Sequence, residues 1–192
     1  MGRKAAFIDR DGVINEERAY VGRPQDFVLL PGVLAGLQRL QAADYRLIVI
    51  TNQSGIARGL YSEAAYLELE VHMRELLAQA GVTLDLVQYC PHLPDAPLER
   101  YRLDCECRKP RPGMLRRAAA VLDLDMPQSF LVGDRLADVQ AGRAAGVGQC
   151  YLVRSGQLLS AADVAAADAV FADLDACVAC VLSSSAATAN NA

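Results

Sequence analysis

Apolar and polar positions along the chain follow two alternating patterns. Short apolar runs of strand length, rich in β-branched residues, cover residues 5–8, 47–50, 86–89, 130–132 and 151–153. Longer segments in which apolar residues recur every three or four positions, as on one face of a helix, cover residues 33–43, 62–79, 114–122 and 137–145. This alternation predicts an α/β fold in which helices flank a Rossmann-like parallel sheet.

Residues that start or stop helices stand at the edges of these segments. Pro31 and Gly32 precede the first predicted helix, and Ser62 is placed to cap the second. Gly81 and Gly146 stand where two helices are expected to end, because glycine readily adopts the left-handed conformation that closes many helices.

Two segments lie outside this pattern. Residues 90–113 concentrate proline, cysteine and charged side chains, and they predict a long loop with a function or a stabilising cross-link. Residues 183–192 are Ser, Ala, Thr and Asn without apolar periodicity, and they predict a disordered tail. We therefore expect a single domain over residues 1–182.

Composition and charge narrow the range of partners. The 192 residues are 53% hydrophobic and 22% charged, as in a globular protein that folds alone. The formal net charge of −4 gives no general attraction to nucleic acid or to an anionic membrane, so neither is expected as a partner. No apolar stretch reaches the roughly 20 residues of a membrane span, and residues 1–6 do not form a secretory signal, so we expect a cytoplasmic protein.

Two carboxylates follow the first predicted strand. Asp9 and Asp11 are separated by one residue and followed by Gly12. Residues two apart on an extended chain point the same way, so both carboxylates can face one crevice while the glycine turns the backbone away. One carboxylate can attack a substrate while the other handles protons. Taken alone, the Asp-x-Asp-Gly pattern is as typical of a surface turn as of a catalytic site.

Further polar residues stand at other strand ends. The second predicted strand runs into residues 51–54, which offer hydroxyls, amides and backbone N–H groups for phosphate oxygens. The fourth runs into Asp134, followed by Asp138, and Lys109 lies just ahead of the third predicted helix. Because the carboxyl ends of parallel strands bind ligands in open α/β sheets, these residues are expected to form one site.

The loop over residues 90–107 contains a complete set of zinc ligands: Cys90, His92, Cys105 and Cys107. In a reducing compartment, clustered cysteines more often bind metal than form disulfides. Three thiolates and one imidazole would fill all four coordination positions of the metal, so we predict a structural Zn²⁺ site that cross-links the loop and keeps it ordered. The alternative is a set of reduced cysteines beside a chance histidine. The other cysteines are expected to be small buried residues: Cys150, Cys177 and Cys180.

The Asp-x-Asp strand end, the threonine, the lysine and the Gly-Asp-x3-Asp segment occur in an order that resembles the haloacid dehalogenase superfamily of phosphotransferases. The match spans most of the chain. The resemblance implies that Asp9 attacks phosphorus to form an aspartyl-phosphate, and that Asp11 protonates the leaving oxygen and then activates water. It further implies that Thr51 and Lys109 hold the phosphoryl oxygens, while Asp138 orients the lysine or a metal-bound water.

The same resemblance implies a cofactor and an open pocket. Mg²⁺ would be bound by Asp9, the backbone carbonyl of Asp11 and Asp134. The span from Asp11 to Thr51 is too short for a large helical cap domain. We therefore expect a capless fold whose pocket is walled by loops.

Several sequence strings narrow the resemblance further. The strings FIDRDGVIN, TNQSGIARG, CPH, CxCRKPxPGM and VGD together resemble the D-glycero-D-manno-heptose 1,7-bisphosphate 7-phosphatases and their histidinol-phosphatase relatives. The matching segments imply these substrate contacts: Glu17, Arg18, Ala19, Tyr20, Thr51, Asn52, Gln53, Ser54, Arg108, Lys109 and Arg135. Arg108 suits a second phosphate because a guanidinium binds oxygens bidentately. The implied activity is Mg²⁺-dependent removal of the 7-phosphate of a small heptose bisphosphate by a monomeric enzyme, in the synthesis of nucleotide-activated heptose for lipopolysaccharide core.

Two positions depart from the family pattern, and three alternatives compete with it. Arg135 stands where the family often has lysine, and Leu93 where a second histidine is common. A histidinol-phosphate phosphatase shares the first strand and the zinc loop, although residues 53–59 favour the heptose family. A nucleic-acid 3′-phosphatase is disfavoured by the acidic charge. A non-catalytic, zinc-stabilised binding module has no need of the complete catalytic set.

Overall fold

The computed structural model describes residues 2–189, and one parallel sheet of six strands organises them. The strands are β1 (Ala5–Ile8), β2 (Arg46–Asn52), β3 (Leu86–Cys90), β4 (Phe130–Gly133), β5 (Gln149–Val153) and β6 (Ala169–Phe171). Their order is β3-β2-β1-β4-β5-β6, and every neighbouring pair is parallel. The predicted parallel sheet and its first five strands are confirmed.

Helices connect the strands. They are α1 (Val33–Ala42), α2 (Ser54–Ala57), α3 (Glu63–Gln79), α4 (Gly113–Leu122), α5 (Leu136–Ala145), α6 (Ala161–Ala166) and α7 (Leu174–Ala189), with 3-10 helices at Pro24–Asp26 and Glu99–Tyr101. The four predicted helices are confirmed as α1, α3, α4 and α5. The Ser62 hydroxyl accepts a hydrogen bond from the Ala65 N–H, and Gly146 ends α5 in the left-handed conformation, as expected.

Each face of the sheet carries its own apolar core. Ala6 and Ile8 of β1 pack into the core formed with α1, α3 and α7. Ala5 and Phe7 point to the opposite core, formed with α4 and α5. All four side chains are buried, because helices cover both faces of the sheet. This explains why β1 is apolar at every position rather than at alternate ones.

The strand order reverses between β1 and β4. From β1 the chain builds outward through β2 and β3 on one side, and from β4 through β5 and β6 on the other. Adjacent helices therefore diverge at this point and leave a crevice at the carboxyl ends of β1 and β4. Asp9 directly follows β1, and Asp134 directly follows β4.

The structure also bears on the predicted pocket and tail. Between Asp11 and Thr51 the regular structure is one 3-10 turn, α1 and the start of β2, so no cap domain is inserted there. The segment from residue 183, expected to be disordered, instead continues α7 as far as Ala189. Its alanines have high helix propensity, which outweighs the lack of apolar periodicity. Residues 190–192 of that predicted tail lie outside the described residues. Within residues 2–189, no helix is both long enough and apolar enough to cross a membrane.

Candidate active site

A cavity of about 640 Å³ opens at the crevice and gathers most of the predicted site residues. Those that line it are Asp9, Asp11, Glu17, Ala19, Tyr20, Thr51, Asn52, Gln53, Ser54, Arg108, Lys109 and Arg135. Tyr61, Ala137, Asp138 and Gln157 line it as well, although none of them was predicted as a contact. Arg18 does not line the cavity, and its guanidinium pairs with Glu16 at 2.6 Å.

A buried ammonium group joins two carboxylates on the cavity floor. Lys109 Nζ lies 2.7 Å from Asp9 Oδ1 and 2.6 Å from Asp138 Oδ1, and it donates to the Ile50 carbonyl at 2.9 Å. All three side chains are buried. Although burial alone would lower the pKa of Lys109, the charges of Asp138 and Asp9 raise it. The lysine therefore stays protonated, with Asp138 as one of its two carboxylate partners.

The backbone of Lys109 is held separately from its side chain. Its N–H donates to Asn52 Oδ1 at 3.1 Å, and its carbonyl accepts from Asn52 Nδ2 at 3.0 Å. The amide of Asn52, predicted to contact substrate, is thus engaged with Lys109. This pair of hydrogen bonds fixes the loop that carries Lys109 against the end of β2.

Asp134 is fully buried beside this ion-pair cluster. Within residues 2–189 neither of its carboxylate oxygens has a hydrogen-bond partner, and Arg135 Nε lies 3.7 Å from Oδ1. Gly12 has a left-handed φ of 83°, and a Cβ there would stand 2.5 Å from Asp134 Oδ2. Only glycine therefore lets the β1 turn approach this carboxylate so closely.

The carboxylates at this position fit a divalent cation. Ligand oxygens of Asp9, Asp134 and Asp138 lie within 4.8 Å of one another. Burial raises the pKa of Asp9 to about 7, even though Lys109 opposes the rise. Burial, together with the charges of Asp9 and Asp138, raises the pKa of Asp134 to about 8. A buried cluster with unpaired carboxylate oxygens is the environment that Mg²⁺ neutralises.

Asp11 is held by a buried arginine that the sequence reasoning missed. Arg10 Nη2 donates to Asp11 Oδ1 at 2.7 Å and Oδ2 at 2.9 Å, and also to the Val21 carbonyl at 2.8 Å. Asn15 Nδ2 donates to Asp11 Oδ1 at 3.1 Å. Arg10 is buried, whereas the Asp11 side chain is 20% exposed, toward the cavity. A charged residue between two aspartates at the end of an apolar strand was the available signal.

A second group of hydrogen bonds ties Asp11 to Thr51. Gln53 Nε2 donates to Thr51 Oγ1 at 2.7 Å and to Asp11 Oδ2 at 3.1 Å. The hydroxyl of Tyr61 donates to Gln53 Oε1 at 2.6 Å. Gln53 and Thr51 are both buried. The Gln53 side chain, predicted to contact substrate, is thus engaged on both sides within the protein.

Residues 17–20 approach Arg135 on the cavity wall. Glu17 Oε2 pairs with Arg135 Nη2 at 3.1 Å, and Glu17 Oε1 accepts from the Ala19 N–H at 2.9 Å. Ala19 and Tyr20 have left-handed φ values of 48° and 71°, which non-glycine residues adopt at a cost. The hydrogen bond from Ala19 to Glu17 helps to hold this turn at the cavity.

The four predicted zinc ligands converge. Cys107 Sγ lies 3.0 Å from both Cys90 Sγ and Cys105 Sγ, and 3.5 Å from His92 Nδ1. The hydrogen bond between Cys90 and Cys107 raises the pKa of Cys90 and lowers that of Cys107 to about 5, so the trio favours one thiolate. Three sulfurs and one imidazole nitrogen within 4.8 Å of one another fit a tetrahedral Zn²⁺. Leu93 is buried in a small apolar cluster.

The cysteine loop leads directly into the cavity. Arg108 follows Cys107, precedes Lys109, and donates from Nη1 to the His92 carbonyl at 3.3 Å. Arg108 and Lys109, which both line the cavity, therefore follow directly in sequence after Cys107 of the cluster. Elsewhere, Cys150 and Cys177 are buried as expected, but the expectation for Cys180 was wrong because it lies on the exposed side of α7.

Asp9 and Asp134 at the ends of β1 and β4, together with the buried Lys109 from the loop before α4, are the site of a hydrolase of the haloacid dehalogenase class. The family described as HAD-hydrolase-like matches residues 106–177. D-glycero-beta-D-manno-heptose-1,7-bisphosphate 7-phosphatase from Photorhabdus laumondii subsp. laumondii is 47% identical over 156 residues, 81% of this chain and 83% of that protein. The enzyme of that name from Escherichia coli K12 is 44% identical over 170 residues, 88% of this chain and 89% of that protein.

A solved structure is similar over nearly the whole chain. It is the D,D-heptose 1,7-bisphosphate phosphatase from B. bronchiseptica in complex with magnesium and phosphate, with a TM-score of 0.81 and 36% sequence identity. The alignment covers 94% of this chain and 99% of that one. The chain belongs to the D-glycero-D-manno-heptose 1,7-bisphosphate 7-phosphatase family.

Proposed function

We propose that the protein is a phosphatase that removes the 7-phosphate of D-glycero-β-D-manno-heptose 1,7-bisphosphate, a step toward nucleotide-activated heptose for lipopolysaccharide core. The observation that carries the proposal is the buried Asp9, which faces the cavity and is paired with Lys109. Beside it lies Asp134, whose carboxylate oxygens have no hydrogen-bond partner among residues 2–189. The relatives named for the β anomer support the choice of substrate.

In the first step Asp9 is the nucleophile. Its free carboxylate oxygen attacks phosphorus, and the bond between phosphorus and the sugar oxygen breaks. Asp11, open to the cavity, gives its proton to the departing oxygen. The positive charge of Lys109 stabilises the phosphoryl oxygens as negative charge moves onto them, and the Thr51 hydroxyl donates to one of them.

In the second step the aspartyl-phosphate is hydrolysed. Asp11, now a carboxylate, takes a proton from a water molecule as that water attacks phosphorus. The bond between phosphorus and the Asp9 oxygen breaks, and inorganic phosphate leaves. Arg10 and Asn15 hold the Asp11 carboxylate in place between the two steps.

Two metals fit the chain. Mg²⁺ would be held by Asp9, Asp134 and the Asp11 backbone carbonyl, and when bound it screens the repulsion between the carboxylates and the phosphate. The magnesium and phosphate in the B. bronchiseptica relative support this assignment. Zn²⁺ would be held by the Cys90, His92, Cys105 and Cys107 cluster and would keep the loop ordered.

The 1-phosphate of the substrate would bind Arg108. Its guanidinium lines the same cavity as Asp9, and a planar guanidinium can bind two phosphate oxygens at once. Histidinol phosphate has no second phosphate, so Arg108 favours the bisphosphate over it. Arg135, held by Glu17, supplies further positive charge to the cavity wall.

The test measures Mg²⁺-dependent phosphate release from both anomers of the heptose bisphosphate and from histidinol phosphate at matched concentrations. We expect kcat/KM to be highest for the β anomer. Arg108→Met should lower it about 10- to 100-fold, because charge-assisted hydrogen bonds are lost, and should have little effect on histidinol phosphate. Arg111→Met is the control, since Arg111 pairs with Asp104 and does not line the cavity. A preference for histidinol phosphate would overturn the substrate assignment.

We also propose that the enzyme acts as a monomer in the cytoplasm. The proposed catalytic residues and metal ligands converge within a single copy of the chain, so the site does not require a residue from a second copy. The thiols of the zinc cluster must stay reduced to bind metal, which suits the cytoplasm.

A further inference from the structure

Tyr61 fills a slot between two glycines next to the proposed active site. A Cβ on Gly22 would lie 2.3 Å from Tyr61 Cδ1, and a Cβ on Gly55 would lie 2.3 Å from Tyr61 Cε1. Real Cβ atoms do not approach other atoms so closely, so any larger residue at either position would displace the ring. The slot therefore holds the ring in one place.

The hydroxyl of Tyr61 selects one orientation of the Gln53 amide. Burial raises the pKa of Tyr61, so the hydroxyl stays protonated and donates to Gln53 Oε1. The Nε2 end of the amide then faces Thr51 Oγ1 and Asp11 Oδ2. The reverse orientation would set the amide oxygen against the Asp11 carboxylate, where neither atom can donate a hydrogen bond.

Gln53 secures one oxygen of Asp11 from a second direction. Asn15 donates to Oδ1, and Arg10 donates to both oxygens. Gln53 donates only to Oδ2, and it is also the residue that links Asp11 to Thr51. Without the Tyr61 hydroxyl, the Gln53 amide is free to rotate, and Asp11 and Thr51 lose their common partner.

We propose that Tyr61 is a positioning residue for Asp11, the acid that protonates the leaving group. Acting through Gln53, it fixes the positions of Asp11 and Thr51 relative to each other for phosphoryl transfer. The inference rests on the proposed role of Asp11 as the proton donor. It assigns Tyr61 no contact with the reacting atoms.

The test compares Tyr61→Phe with Tyr66→Phe. Both variants remove a hydroxyl and keep the ring. The half-buried Tyr61 hydroxyl donates to Gln53, whereas the buried Tyr66 hydroxyl has no hydrogen-bond partner among residues 2–189. The probes are glycerol phosphate, whose alkoxide must be protonated as it leaves, and p-nitrophenyl phosphate, whose phenolate leaves without a proton. For each we measure kcat and KM separately, and their ratio kcat/KM reports the steps up to cleavage of the bond to the leaving group.

We expect Tyr61→Phe to lower kcat/KM for glycerol phosphate about tenfold, a fraction of the 10²- to 10⁴-fold that a positioned acid contributes. The loss for p-nitrophenyl phosphate should stay below about twofold, because that leaving group does not need the acid. Tyr66→Phe should leave both values unchanged. Gly22→Ala, which pushes the Tyr61 ring from its slot, should also lower kcat/KM more for glycerol phosphate than for p-nitrophenyl phosphate. It replaces Tyr61→Phe if that variant is too unstable to assay.

Several outcomes would overturn the inference. Equal losses on the two substrates would make Tyr61 merely structural, and a change confined to KM would make it a substrate contact. Full activity of Tyr61→Phe would remove any role for the hydroxyl. The substrate assignment can fail independently: if the wild type hydrolyses both probes but not the heptose bisphosphate, the Tyr61 comparison still stands. If the wild type hydrolyses neither probe with Mg²⁺ present, the proton-donor role and the Tyr61 inference fall together.

Discussion

The two groups of candidate metal ligands in this chain differ in what holds them together. The acidic group consists of Asp9 and Asp134, which follow β1 and β4, and Asp138 in the first turn of α5; the buried Lys109 pairs with Asp9 and Asp138. The cysteine group starts at the end of β3 and continues through a loop whose only helical element is the short 3-10 turn Glu99–Tyr101. The first group is placed by β1, β4 and α5, whereas three of the four residues of the second, His92, Cys105 and Cys107, lie in a loop outside the strands and helices.

This difference suggests different uses of metal. The acidic group keeps its arrangement through the sheet, so a cation there serves chemistry. We expect the cysteine group to need its proposed Zn²⁺ to fix its geometry. The two groups meet in sequence at Cys107, Arg108 and Lys109, so disorder in the loop is expected to reach the cavity. Three experiments test this division.

The largest expected effect is chemical and confined to the acidic group. Asp9→Asn should lower kcat by at least about a thousandfold, since the amide is nearly isosteric but is a poor nucleophile. Circular dichroism and thermal unfolding should show an intact fold. The cysteine group should still bind one equivalent of Zn²⁺. Substantial residual turnover by the purified variant would contradict the nucleophile assignment.

The second-largest effect is expected from removing zinc, which acts on the cysteine loop but is measured as a loss of activity in the cavity. Metal-free protein given Mg²⁺ alone should have kcat/KM about tenfold or more below protein given both metals, because displacing binding groups by about 1 Å can cost on the order of 100-fold. Trypsin should then cleave at the exposed Arg100 or Arg102. Cys105→Ser should behave like zinc-free protein, and Cys180→Ser, at an exposed cysteine outside the cluster, should not. Full recovery and trypsin resistance with Mg²⁺ alone would show that the loop needs no zinc.

The smallest effect is on stability and depends on pH. In metal-free protein the pKa of Asp9 is raised to about 7 and that of Asp134 to about 8, above their ordinary value of 3.8. The folded state therefore binds these protons more tightly than the unfolded state, and their stabilising contribution is lost progressively as pH rises from about 4 to the raised values of 7 to 8. Mg²⁺ competes with the same protons, so its stabilisation should grow over that range.

At a fixed Mg²⁺ concentration of about 100 times the Kd measured at pH 8, Mg²⁺ should raise Tm by about 5 °C or more at pH 8 and by at most about half as much at pH 5.5. The measurement is differential scanning calorimetry with the zinc content held constant. Asp134→Asn is the control and should abolish most of the Mg²⁺ response. An equal Tm shift at both pH values would show that the buried carboxylates are not where Mg²⁺ binds.

Much of the fold followed from local patterns, and the misses have physical causes. The first five strands are buried apolar runs, which is why they stood out. Strand β6 has only three residues, all partly exposed, and carries little signal. Helix α7 continues through a serine- and alanine-rich segment whose lack of apolar periodicity looked like disorder.

Site residues that belong to short sequence motifs could be predicted, whereas those whose role depends on tertiary packing could not. Asp9, Lys109 and the cysteine group were identified because few residue types can perform their chemistry. Tyr61 was missed because its role depends on a hydrogen bond to Gln53 and on a slot made by Gly22 and Gly55, which no local pattern displays. Gln53, predicted to contact substrate, lines the cavity, and its side-chain amide donates to Asp11 and Thr51.

The arrangement around Lys109 also determines how the protein can be labelled. The chain contains only two lysines, Lys4 and Lys109. The Lys109 amine is buried, protonated and bound by three oxygen acceptors, so it is a poor nucleophile toward amine-reactive reagents. Lys4 lies just before β1, at the edge of the sheet opposite the cavity, with its ammonium 4.2 Å from the centre of the Tyr45 ring. Of the two, a fluorophore ester should therefore modify Lys4, attaching a reporter on the far side of the molecule while leaving the active site free.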